Sequence, residues 1–180
     1  KIYLIGHSRG GLDIINFYEN LDSQHQESVD SIFLLAPISE TWESSINRYK
    51  ENYDIDINDL VKQKPKKLKI NFLGCEDATV YSDSFLDYYL IGGDGHFFSS
   101  EATRFSDKGL NLHLFSTSGK VYVITASEDT IVPNTYGIVR DVITKNKEKN
   151  IELYQVDGAN HFFRDFYFDD LTEIIMERIN

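Results

Sequence analysis

Short apolar runs, each followed by a stretch at helical spacing, fill both ends of this chain, and the pattern breaks down between them. Lys1-Ile2-Tyr3-Leu4-Ile5 reads as a buried parallel strand. Leu12, Ile15, Tyr18 and Leu21 then recur three residues apart, which predicts a helix. The polar stretch Asn20 to Ser28 reads as a loop. Val29 to Pro37 is a second buried strand, rich in β-formers and stopped by proline. Strand, helix, strand in that order makes the two parallel, joined by a right-handed crossover.

Regularity returns at Lys120 to Ala126, a third buried strand. A helix is predicted from about Asn134 to Lys145. Ile151 to Val156 is a fourth strand, and a last helix is predicted from Phe166 to Ile179. Between Ile38 and Thr117 the pattern is irregular. Glu43 to Tyr53 and Ile57 to Lys64 are candidate helices, Ile70 to Leu73 a short strand, and Gly92 to Ser100 a loop by composition. So long a structureless stretch is uncommon in a compact domain, so residues 39–119 read as an inserted subdomain. Its aromatic residues line a pocket or, for most of them, fill the insert's own core.

Composition narrows the function classes. The 180 residues suit a single domain, and 41% hydrophobic with 26% charged residues is ordinary for a globular chain. No apolar stretch approaches the ~20 residues that span a bilayer. A net charge of −11 argues against nucleic acid, which needs a basic face. The short basic cluster from Lys62 to Lys69 reads as a solvated helix end or loop. Cys75 is the lone cysteine, which leaves no disulfide framework or cysteine metal site and leans toward a reducing, cytoplasmic compartment.

The candidate chemistry begins at Gly6-His7-Ser8-Arg9-Gly10. Gly-x-Ser-x-Gly between a strand and a helix is the turn that holds a nucleophilic serine in strained geometry. Both glycines are expected where a Cβ has no room. The rival reading is a serine that merely caps the helix. A serine hydroxyl needs a base, and the base needs an orienting group. Asp129 lies just past the third strand and His161 just past the fourth. In a parallel sheet both share the rim where Ser8 sits. No tight His/Cys/Asp cluster suggests a metal: Asp83, Asp94 and His96 are scattered, and Glu76 with Asp77 reads as a charged loop. No cofactor is implied.

These segments resemble the α/β-hydrolase superfamily, its serine esterase and lipase-like members in particular. Gly6-His7-Ser8-Arg9-Gly10-Gly11 is similar to the nucleophile elbow, and Leu34-Leu35-Ala36-Pro37 to the strand after the elbow helix. Ser127-Glu128-Asp129-Thr130-Ile131-Val132-Pro133 is similar to the acid turn, and Gly158 to Phe163 to the histidine loop. The resemblance covers residues 1–38 and 120–180. It implies a partial α/β-hydrolase fold: about four parallel strands with flanking helices and a cap or lid at 39–119.

By this resemblance Ser8 attacks an acyl carbonyl, His161 is the base and Asp129 orients it. The Arg9 backbone N–H is an oxyanion donor. Glu128 is the rival acid, but the position four before Pro133 favours Asp129. His7 is expected to pack or to bond within a loop; His7, His96 and Phe97 are also candidate substrate contacts. His25 is expected in solvent. The implied function is hydrolysis of a carboxylic ester of small to medium size through an acyl-enzyme. A serine peptidase or amidase of the same fold, or a silent binding module, is the alternative. In this fold several strands and the second oxyanion donor precede the elbow. An N-terminal remainder is therefore expected, and the 180 residues alone are expected to be weakly active or inactive.

Overall fold

A computed structural model describes residues 1–38, 42–72, 75–89, 119–146 and 150–179. The chain divides into two compact units, residues 1–38 with 110–180, and residues 39–109.

The first unit is built on four parallel strands, β1 (Ile2–His7), β2 (Val29–Leu35), β5 (Lys120–Ala126) and β6 (Ile151–Val156), in the order β1-β2-β5-β6. The numbers β3 (Lys67–Phe72) and β4 (Cys75–Tyr81) belong to strands of the other unit. Helix α1 (Arg9–Glu19) follows β1, α2 (Ser23–Ser28) precedes β2, α6 (Thr135–Asn146) joins β5 to β6, and α7 (Tyr167–Ile179) ends the chain. A parallel four-strand sheet with flanking helices is the architecture expected from the sequence.

Alternation sets the two faces of the sheet. Phe33, Leu35, Tyr122 and Ile124 join Val156, Phe163 and Leu171 in one buried cluster, against which Ile174, Ile175 and Ile179 of α7 pack. The Phe33 ring stacks on Tyr122 with centroids 4.9 Å apart. Ile32 and Leu34 point to the opposite face, where α1 packs so closely that a Cβ on Gly11 would lie 3.5 Å from Leu34 Cδ2. Small residues at such a crossing let a helix sit tight on a sheet.

Among the described residues β1 pairs with β2 alone, and Ile2 and Ile5 are 48% and 51% exposed. Two local expectations are corrected. The stretch after α1 is not all loop, because the Asp22 side chain accepts the His25 N–H at 2.9 Å and so caps α2. The basic cluster is partly strand, since Lys67 and Lys69 lie on β3.

The second unit contains α3 (Trp42–Tyr53), the short α4 (Ile57–Leu60), the antiparallel pair β3 and β4, and α5 (Ser82–Tyr89). Asp77 therefore lies on a strand, not in a charged loop. Tyr49 and Phe85 are both fully buried and meet edge to face at 4.7 Å, so these two aromatics fill the unit's own core.

Phe33 is fully buried in the cluster it shares with Tyr122. Phe33→Ala should cost about 3–5 kcal/mol in chemical denaturation; a loss below about 1 kcal/mol would contradict this packing.

Candidate active site

The register of the parallel strands brings their C-terminal ends to one rim. His7 pairs with Leu35, and Leu35 with Ile124. The ladder runs on past the strand ends: Ser8 N–H donates to Leu35 O at 2.8 Å, Ala36 N–H to Ile124 O at 2.8 Å, and Ser127 N–H to Val156 O at 3.1 Å. Residues 8, 36, 127 and 157 therefore leave the sheet on the same side.

Ser8 forms the turn between β1 and α1 with φ 53° and ψ −122°. A non-glycine residue there costs of order 1–3 kcal/mol and persists only where its surroundings enforce it. Its hydroxyl makes no capping bond to α1, so a capping role does not account for the serine. Gly6 is dictated by space: a Cβ there would lie 2.3 Å from Gly10 O and 2.5 Å from Ile14 Cδ1. Gly10 differs from expectation, because a Cβ there would meet nothing within 4 Å. The turn demands one glycine for room, not two. Arg9 is the first residue of α1, at the positive end of the helix dipole.

The acid turn and the histidine loop meet beside it. His161 Nδ1 lies 2.7 Å from Asp129 Oδ2, with both side chains almost fully buried. The other oxygen, Asp129 Oδ1, accepts the N–H groups of Ile131 and Val132 at 2.8 and 2.9 Å. A carboxylate only accepts, so Nδ1 carries a proton, and in the neutral ring that leaves the lone pair on Nε2. Glu128, the rival acid, is exposed.

Ser127 fastens the two loops together. Its Oγ accepts the Gly158 N–H at 2.7 Å and donates to Asp157 Oδ1 at 3.2 Å, while Glu128 N–H donates to Ala159 O at 2.9 Å. The sequence placed Ser127 in the acid turn without a role for it; nothing in its spacing marks the contact with residues 157 and 158. In the histidine loop Phe163 is buried and also holds a positive φ, 48°.

His7 ties the serine turn to the histidine loop. Its Nε2 lies 2.7 Å from the backbone oxygen of His161, and the two imidazole rings have centroids 4.9 Å apart. This is the loop bond expected of it. Ser8 Oγ itself forms no hydrogen bond to the His161 imidazole among the described residues. Serine–histidine bonds are often loose without substrate. His96 and Phe97 lie outside the described residues.

Burial pushes the His7 pKa below its ordinary value of 6.5; its bond to the His161 carbonyl and the charge of Asp129 work against that shift, and a charge on His161 adds to it. A depressed histidine pKa means the unfolded chain takes up protons first. The stability His7 contributes is full above about pH 6.5 and is lost as pH falls through its folded value. Between about pH 7.5 and 5.5, the melting temperature of wild type should therefore fall more than that of His7→Gln; equal falls would contradict the assignment. The two glycines give a second prediction. Gly6→Ala should cost about 1–3 kcal/mol or more through the clash with Gly10 O. Gly10→Ala should be neutral or stabilising, by up to about 1 kcal/mol, in urea unfolding. Equal losses at both positions would contradict the geometry of the turn.

No family model matches the chain, and no curated protein matches its sequence. Solved structures do. A soluble variant of monoglyceride lipase from Saccharomyces cerevisiae, in complex with a substrate analog, is similar over 97% of this chain and 60% of its own, with TM-score 0.59 and 14% identity. Est1E from Butyrivibrio proteoclasticus is similar over 99% of this chain and 62% of its own, with TM-score 0.50 and 16% identity. The chain thus spans about three fifths of the length of these two structures. Parallel strand order, flanking helices and this structural likeness together identify the architecture: the chain carries part of an α/β-hydrolase fold.

Proposed function

We propose that this chain supplies the nucleophile, base and acid of a serine hydrolase that cleaves carboxylic esters. The observation that carries the reading is the buried 2.7 Å bond between His161 and Asp129, on a loop fastened to the residue before a strained serine. In this reading Ser8 Oγ attacks the acyl carbon while His161 Nε2 takes its proton. Asp129 keeps the imidazole in the right tautomer and steadies its positive form. The imidazolium then protonates the leaving alcohol, and water activated by the same nitrogen releases the acid and frees Ser8. The backbone N–H of Arg9, at the start of α1, stabilises the oxyanion.

Among the similar structures, the yeast protein is described as a monoglyceride lipase, which supports an ester in preference to a peptide. The fold serves both bonds, so the substrate decides between them.

A fluorophosphonate probe should label the full-length protein at Ser8. Ser8→Ala should abolish labelling, and Asp129→Asn should lower kcat on a short-chain p-nitrophenyl ester about 10⁴-fold. Label retained by Ser8→Ala, or no label in wild type, would refute the reading. Cleavage of peptides without esters would move the assignment to a peptidase.

A further inference from the structure

His7 precedes the nucleophile in the chain, and its partner is the carbonyl of the same residue that carries the proposed base. We propose that His7 is a positioning residue: its Nε2–H, held on the His161 carbonyl, fixes the peptide of the base relative to the serine turn. The inference rests on the serine-hydrolase reading above.

The chemistry of both partners supports it. A carbonyl oxygen only accepts, so His7 must hold its proton on Nε2. Burial favours the neutral ring, which has a single N–H to give. The rings of Phe162 and Phe163 stand 5.9 and 6.4 Å from it, and the imidazole of His161 at 4.9 Å, so the ring is wedged and the donor aimed. Aromatic wedging alone sets no direction between the histidine loop and the serine turn. A hydrogen bond sets distance and direction together. Asp129 holds the far side of the imidazole through Nδ1. His7 holds the backbone beneath it. Two anchors on one residue leave the proton-accepting nitrogen a single placement, and an error of about 1 Å in such a placement costs up to ~10²-fold in rate.

The test separates the donor from the ring. His7→Gln keeps an N–H at nearly the reach of Nε2, while His7→Phe keeps the ring and loses the donor. The readout is the rate constant for fluorophosphonate labelling of Ser8 in the full-length protein, which reports serine activation without needing the natural ester. His7→Phe should label about 10–100-fold more slowly than wild type, and His7→Gln within about threefold of it. Labelling by His7→Phe at the wild-type rate, or by His7→Gln as slowly as His7→Phe, overturns the proposal and leaves the hydrolase reading intact. Absence of label in wild type overturns both. Nitrogen-15 NMR of wild type checks the same point with no variant that could misfold. The His7 ring should be the Nε2–H tautomer at neutral pH, and an Nδ1–H ring overturns the proposal.

Discussion

Parallel register is the constraint on which everything else rests. Because β1, β2, β5 and β6 run the same way and in step, every loop that follows a strand leaves from one rim. Residues separated by long stretches of chain become neighbours at that rim without any contact designed between the strands themselves. Within the first unit, the apolar faces on either side of the sheet hold the register. A slip by one residue would turn Phe33 and Tyr122 out of their cluster and Ile32 and Leu34 into it.

On that rim the chain stores strain and fastens it. Ser8 and Phe163 both hold positive φ, which is unfavourable for residues with a side chain. The bonds around them offset the cost: Ser8 N–H to β2, His7 to the His161 carbonyl, Ser127 to Gly158, Glu128 N–H to Ala159. Each loop is thereby tied to the sheet or to another loop. The buried Asp129 carboxylate is satisfied on both oxygens. Removing its imidazole partner would leave Asp129 Oδ2 buried without a donor, which typically costs about 1–3 kcal/mol. The same contacts therefore serve stability and placement.

Much of the fold was legible because buried parallel strands announce themselves as apolar runs. β5 and β6 begin and end where the sequence put them, and β2 ends two residues before Pro37. What was not legible depends on partners the sequence does not display. β1 reads as apolar as β2, yet Ile2 and Ile5 are about half exposed. β4 (Cys75–Tyr81) carries polar and charged residues and is a strand through its pairing with β3. Helix α2 has no apolar stripe, and its only local signal was Asp22 three residues before His25. At the candidate site, residue types and their places after strands singled out Asp129 and His161, which are bonded. The room around Gly10, the Ser127 fastening and the target of His7 depend on loop conformation and had no counterpart in spacing.

In the proposed reaction Ser8 Oγ attacks the acyl carbon and His161 Nε2 takes its proton. A crystal structure of the protein after reaction with a fluorophosphonate tests it most directly. The account predicts a covalent bond from Ser8 Oγ to phosphorus, with His161 Nε2 within about 3 Å of a phosphonyl oxygen. An adduct on another residue, or an imidazole turned away from the phosphorus, would contradict it.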